Sequence, residues 1–132
     1  MKKKDKKDFS IKIISENRKA KYNYFIEGEI ECGVVLTGSE IKSIRQTNCN
    51  IKDSYADIEN SELWLLNSNI MQYEKAKHFS HEEKRKRKLL VKKKELSKLW
   101  QKIGREGMTL VPLKIYFNTK GFVKISLGIA KG

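Results

Sequence analysis

The side chains that could carry chemistry fall into three groups: two histidines, a row of acids and clustered bases. His78 and His81 stand in KAKHFSHEEKRKRKLL as an H-x-x-H pair, a spacing that invites a metal or nuclease reading. Two further ligands at useful spacing are absent, so both are expected to be polar loop residues and no metal or other cofactor is expected. Glu27, Glu29 and Glu31 alternate, which puts three carboxylates on one face of a strand. That face is either simply solvated, or it presents an acceptor to base or sugar groups or orients a neighbouring arginine. Carboxylates at i, i+2 with no histidine near them in sequence make a weak case for acid/base or metal catalysis. A nuclease would need His78, His81 and a glutamate to converge, and no such constellation is visible, so no enzymatic activity is expected.

The bases are the strongest signal. There are 29 Lys and Arg against 16 Asp and Glu, a formal net charge of +13. Residues 1–7 hold five lysines and one aspartate, and Lys84 to Lys94 hold eight basic residues in eleven. Arg18, Lys19 and Lys21 form another knot, and Gly107 to Gly132 carries four lysines and no acid. Such a lopsided field calls for a polyanion, with nucleic acid ahead of a membrane surface because no basic helix with a bulky apolar face accompanies it. The alternative for the Lys84 to Lys94 block is a solvated run that serves solubility.

These groups need elements to position them. Read with a period of two, Thr109, Val111, Leu113, Ile115 and Phe117 share one side of a strand, and Val123, Ile125, Leu127 and Ile129 share one side of the next. Fully buried, the second row would contribute roughly 6 to 12 kcal/mol gross. Lys114, Tyr116, Lys124 and Ser126 then face outward, and Asn118-Thr-Lys-Gly121 forms the connecting loop, its glycine supplying a left-handed residue. Core need explains the inner row and leaves Lys124 for function. Upstream, Tyr24, Ile26, Ile30, Cys32, Val34 and Leu36 share the inner face of a strand, which makes Tyr24 a core residue rather than a stacking platform. Thr37 with Glu40 is a capping box and Leu36 with Ile41 its hydrophobic staple, so a short helix runs from Gly38 to Gln46 with Ile41 and Ile44 inward and Arg45 at its negative end. A hairpin turns at Asn60-Ser61, with Ala56, Ile58, Leu63 and Leu65 as core. A second helix runs from Lys92 to Glu106, packs Leu96, Leu99, Trp100 and Ile103 on the sheet, and stops at Gly107.

At 132 residues the chain is expected to be one domain, residues 9–132, preceded by a disordered lysine tail over residues 1–8. No apolar run has the length of a bilayer span and the N-terminus lacks a secretory apolar stretch, so a cytoplasmic location is expected. Cys32 and Cys49 have no CxxC partner and are expected to be thiols. The fold class is mainly β with short helices (α+β): a small antiparallel barrel of the oligonucleotide-binding type with flanking helices. Most aromatics fall on core rows, which disfavours the alternative of a generic basic single-strand binder needing several exposed rings.

NRKA (Asn17 to Ala20), LTGSEIKSIR (Leu36 to Arg45), NIKDSY (Asn50 to Tyr55), RKLL (Arg87 to Leu90) and GMTLVPLKIYF with the terminal AKG, in this order, resemble the SsrA-binding protein (small protein B) family, and the resemblance covers Asn17 to Gly132. It implies a non-enzymatic RNA chaperone of bacterial trans-translation. Such a protein binds the tRNA-like domain of transfer-messenger RNA (tmRNA) and brings it, charged with alanine and carried by elongation factor Tu, to stalled ribosomes. A monomer is expected. The resemblance also implies RNA contact at Asn17, Glu31, Leu90 and Lys124.

The roles expected are phosphate contact for Arg18, Lys19, Arg85, Arg87, Lys88, Lys124 and Lys131, hydrogen bonds to base or sugar for Asn17 and Glu31, and an apolar contact with an exposed base for Leu90. Arg45 is a further candidate that could equally serve its helix; Leu90 could be core and Lys131 terminal. Members of the resembled family usually continue past AKG into a basic tail that follows the empty messenger channel, whereas this sequence ends at Gly132. The expectation is RNA binding without full tagging activity.

Overall fold

A computed structural model describes residues 10–72 and 81–132; the lysine tail and His78 lie outside the described residues. Within them the elements are β1 (Lys12–Glu16), α1 (Ala20–Asn23), β2 (Phe25–Val34), α2 (Gly38–Arg45), β3 (Cys49–Asn50), β4 (Tyr55–Glu59), β5 (Glu62–Leu66), β6 (Asn69–Ile70), β7 (Arg87–Leu90), α3 (Lys93–Glu106), β8 (Thr109–Phe117) and β9 (Val123–Lys131). The pairing order β8-β4-β5-β7-β2-β9 returns to β8, closing a six-stranded antiparallel barrel. β1 adds to β8, and β3 with β6 makes a separate two-stranded ribbon. This is the mainly β barrel with flanking helices expected from the sequence, and closure removes the edges that an open sheet would expose.

Local chemistry sets the reversals. Thr37 Oγ1 accepts from the Glu40 amide at 3.3 Å while the Thr37 amide donates to Glu40 Oε1 at 2.8 Å, so the capping box starts α2 as its sequence predicts. Asn60 and Ser61 both have positive φ, 52° and 63°, the pair of left-handed residues that a two-residue β4–β5 turn needs. Gly107 at φ 66° stops α3, and Gly121 at φ 85° turns β8 into β9.

The core differs from a single inner row in an instructive way. Ile125, Leu127, Leu110, Ile115, Cys32, Ile44, Leu63 and Leu65 are buried inside the barrel, with Val123, Ile129, Ile30, Val34 and Leu36 packed against them. Val111 and Leu113 belong instead to a second cluster with Ala20 and Ala130, against which Tyr24 and Ile26 pack. The cause is a pair of irregularities in register, between Pro112 and Lys114 on β8 and between Ile26 and Gly28 on β2. Each bulge adds a residue and shifts the alternation to the other face. The expected row of Thr109, Val111, Leu113, Ile115 and Phe117 is therefore split between two faces, and Tyr24 joins the outer cluster beneath α1.

On α3, Leu99 is buried and Leu96 and Ile103 pack on the barrel, but Trp100 is 60% exposed, contrary to the expected stripe. It sits at the flank of the helix beside a groove lined by Ile58, Asn60 and Ser61. The expectation that most aromatics are core also fails among the described residues: Tyr22, Phe25, Tyr55, Trp100 and Phe122 are exposed. Cys32 and Cys49 are free, and burial pushes their thiols up to about 12 and about 11. No helix among the described residues is long and apolar enough to cross a membrane.

Candidate nucleic-acid interface

The site is built on the outer face where β7, β2, β9 and β8 lie side by side. Gly33 on β2 is in register with Leu90 on β7 and with Lys124 on β9, and Lys124 is in turn opposite Tyr116 on β8. Residues in register across antiparallel strands share a face, so Leu90, Gly33, Lys124 and Tyr116 form one row. Because Gly33 has no side chain, the row has a gap with a backbone floor between an apolar wall and a cation. Leu90 is 50% exposed, and a Cβ built on Gly33 would touch it at 3.4 Å. This row opens onto a groove of about 460 Å³ bounded by Arg45 at the end of α2 and by Phe122 just past the β8–β9 turn. Phe122 is 62% exposed, held where Asn118 Oδ1 accepts from the Lys120 and Phe122 amides at 3.0 and 2.9 Å. Two cations, an aliphatic side chain and an exposed ring around one groove are the parts needed to hold a phosphate beside an unstacked base.

The next row on the same face carries acids. Glu31 is in register with Ser126, and Ser126 with Lys114. The Tyr116 hydroxyl donates to Glu31 Oε2, and Ser126 Oγ donates to Glu29 Oε1 at 2.9 Å. Burial, then the hydrogen bond to the Glu31 carboxylate, pushes the Tyr116 phenol well above its ordinary pKa, so it remains a donor. Beyond Glu29 and Lys114 lies the NRKA segment, whose Asn17 and Arg18, with Lys21 just after it, line a second recess of about 350 Å³ together with Lys114 and Glu29. That segment is anchored at both ends. The Asn17 amide donates to the Leu113 carbonyl at 2.8 Å, its side chain reaches the Pro112 carbonyl at 3.5 Å, and Ala20 is buried in the outer cluster. Arg18 and Lys19 are left on the rim, Arg18 within 3.5 Å of Glu16.

Among the residues expected to touch RNA, Asn17, Arg18, Glu31, Arg45, Leu90 and Lys124 thus lie along one strip, with Lys19 beside it. Arg87 does not, and its expected phosphate role is corrected. β7 alternates Arg87 and Leu89 inward with Lys88 and Leu90 outward, and Arg87 is fully buried. It donates to Glu40 Oε2 at 2.8 Å, to Ser68 Oγ at 3.1 Å and to the carbonyls of Arg85, Glu82 and Glu83. Arg85 donates to both Glu40 oxygens, at 3.1 and 2.7 Å, and its side chain is about one-third exposed. Burial alone would raise the Glu40 carboxyl, but hydrogen bonds from Arg85, the Thr37 amide and Arg87 outweigh it and lower its pKa to about 2.

Lys88 pairs with Glu62 and Lys86 with Glu59, each at 2.6 Å. Half of the Lys84 to Lys94 block is therefore matched by carboxylates, and the block is less of a bare cationic surface than its composition implies. Lys131 sits at the opposite end of β9 from Lys124, in register with the exposed Phe25. His81, expected in a polar loop, is instead buried, its ring nitrogens 2.9 Å from Ser39 Oγ and from the Ile70 carbonyl. No group of three or more metal-ligating side chains occurs among the described residues.

Sequence reasoning missed Gly33, Phe122 and the donors Tyr116 and Ser126. Phe122 was legible, because it precedes the inward row that begins at Val123, and strand alternation then turns it outward. Gly33, Tyr116 and Ser126 gain their roles only through register across three strands.

Comparison with known proteins finds similar sequences and a similar fold over most of the chain. The family described as SmpB protein matches residues 14–132. The SsrA-binding protein of Paracoccus denitrificans (strain Pd 1222) is 60% identical over 127 residues, covering 96% of this chain and 81% of that protein. That of Cereibacter sphaeroides (strain ATCC 17025 / ATH 2.4.3) is 57% identical over 125 residues, covering 95% and 80%. Among solved structures, a chain from "tmRNA-SmpB: a journey to the center of the bacterial ribosome" is similar with a TM-score of 0.72 and 45% identity, over 89% of this chain and 82% of that one.

Proposed function

The chain belongs to the SmpB protein family, and on that premise we propose that its barrel is a non-enzymatic tmRNA-binding protein of trans-translation. It acts in ribosome rescue with tmRNA and the ribosome as partners. The observation that carries the reading is the groove of Leu90, Gly33, Lys124, Arg45 and Phe122, which offers two cations and two apolar walls to one exposed nucleotide. Lys124 and Arg45 take phosphates, Leu90 and Phe122 take the face of an unstacked base, and Asn17, Arg18 and Lys19 hold the backbone at the far end of the strip. A groove that takes a single unstacked nucleotide suits a folded RNA with looped bases better than a regular duplex, whose deep, narrow major groove side chains do not read. The target within tmRNA is its tRNA-like domain, elongation factor Tu joins through the RNA alone, and the protein works in the cytoplasm as a monomer.

The test is equilibrium binding to the tRNA-like fragment of tmRNA, an ordinary tRNA and a single strand of equal length, each across a salt series. Tight preference for the fragment that survives moderate salt is the expected result. Equal affinity for all three, lost together as salt rises, would favour a generic single-strand binder, the reading to which the exposed rings of Tyr22, Phe25, Tyr55 and Trp100 lend some support. Those rings are spread over several elements instead of forming one track.

A further inference from the structure

We propose that the Glu31 carboxylate, preset by the Tyr116 hydroxyl, reads the Watson–Crick edge of one unpaired guanine in the bound RNA. This rests on the tmRNA-binding reading above and adds to it a base preference and a positioning residue. A carboxylate is an acceptor only, with two oxygens and about four lone-pair sites. Placed on a surface that must meet phosphates, it repels the ligand unless the RNA presents donors to it. Here the acids are not incidental. Glu31 and Glu29 are both exposed, both on the strip, and each has one oxygen engaged by a neighbouring hydroxyl, Tyr116 for Glu31 and Ser126 for Glu29. Among the described residues neither is in an ion pair: the neighbouring acid Glu27 pairs with Lys102, at 2.6 Å, while Glu31 has Lys124 one row away on the adjacent strand β9 and Lys114 in its own row, beyond Ser126, on β8.

Each carboxylate oxygen has a lone pair to spare after its hydroxyl contact, so both Glu31 oxygens remain able to accept. Among the four RNA bases only guanine presents two adjacent donors, N1–H and the N2 amino group, spaced like the two oxygens of a carboxylate. Adenine and cytosine each pair one amino donor with an adjacent ring acceptor, and uracil places its one N–H between two carbonyls, so each turns a lone pair toward the acid. The selection is therefore partly repulsive, which is an effective route to specificity. Lys124, one row away, holds the phosphate of the same stretch, and the bare backbone at Gly33 leaves the base room to approach edge-on. Tyr116 fixes which way the acid faces. Tyr116 is 6% exposed, its hydroxyl meets Glu31 across β9, and a carboxylate held in one rotamer loses less entropy when the base docks.

The experiment uses the full chain and the tRNA-like fragment of tmRNA, with each unpaired guanine replaced singly by inosine, which lacks only the N2 amino group. One position is expected at which inosine weakens wild-type binding about tenfold, in the range of a lost base contact. That penalty should vanish in Glu31→Gln and shrink in Tyr116→Phe, a variant that keeps the ring packing and so should keep the melting temperature. Inosine tolerated at every unpaired position, or a penalty undiminished in Glu31→Gln, overturns the guanine assignment while tight preferential binding leaves the tmRNA reading intact. An unchanged penalty in Tyr116→Phe removes the positioning role. Loss of all preference for the fragment in the wild type overturns both.

Discussion

Replacing Arg87 by methionine should unfold this protein more readily without removing a phosphate contact. The side chain is fully buried, and Arg87 is one of two arginines that neutralise the equally buried Glu40. Methionine fills much of the volume but leaves Glu40 dependent on Arg85 and strands the carbonyls of Glu82, Glu83 and Arg85, to which Arg87 donates. Breaking one partner out of a buried ion pair typically costs about 3 to 5 kcal/mol. Set against a total stability of about 5 to 15 kcal/mol for a domain, that is a large fraction. At a few degrees per kcal/mol, the melting temperature should fall by about 10 to 20 °C. Lys88→Met, which breaks the half-exposed pair with Glu62, should cost under about 1 kcal/mol. Adding Glu40→Gln to Arg87→Met should recover part of the loss, because the uncompensated charge is then gone, and a double-mutant cycle measures that coupling. The second readout is the salt dependence of RNA binding, taken well below the transition. If Arg87 only braces the barrel, the slope of log K against log salt stays that of the wild type. A variant that melts like the wild type while losing about 0.7 to 0.9 of a counterion in that slope would show that Arg87 reaches a phosphate, and the argument from burial would be wrong.

The remaining predictions concern the acid limb and the groove. Glu40 has a folded-state pKa of about 2 against an ordinary value of 4.5, so the stability it confers is full above about pH 4.5 and is lost as the pH falls toward 2. The shift corresponds to about 3 kcal/mol, and urea midpoints measured between pH 6 and pH 2.5 should fall less steeply in Glu40→Gln than in the wild type. Lys124→Glu should weaken RNA binding and reduce the salt slope by about one charge with little change in melting temperature; if affinity and slope both stay put, Lys124 is not a ligand. Phe122→Ala should lose about 1 to 3 kcal/mol of RNA affinity, in keeping with a ring that holds a base, and unaltered binding in a filter or anisotropy titration would remove the ring from the site. Gly33→Ala places a methyl at ordinary contact distance from Leu90, so calorimetry should find the barrel intact while affinity drops through the raised floor.

How far the sequence foretold these features depended on whether the determining contact was local. The capping box of Thr37 and Glu40, the Asn60-Ser61 turn and the stops at Gly107 and Gly121 are decided within four residues, and all lie where the string predicts them. The β9 row of Val123, Ile125, Leu127 and Ile129 also holds, since no bulge interrupts it. On β8 and β2 one extra residue sends Val111, Leu113, Tyr24 and Ile26 to the outer face, and an alternation rule has no means of anticipating a register shift that the partner strand decides. Arg87 was misread for a related reason. Its neutralising acid is 47 residues away, so in sequence it looks like one more member of a cationic run. Of the candidate site, the cations were legible as residue types and Leu90 only through the family resemblance, whereas their assembly around Gly33 belongs to the tertiary fold.

The Glu40, Arg85 and Arg87 cluster has one more consequence. Glu40 belongs to α2, which ends in Arg45, and Arg87 begins β7, which ends in Leu90, so a single buried knot of charge fastens together two of the elements that line the groove. Braced in this way, the proposed groove is expected to act as a fixed gauge rather than a jaw. If RNA docks there it needs no closing motion, so association should be set by diffusion and long-range attraction and should slow as ions are added. Discrimination between nucleotides is then expected in the rate of departure.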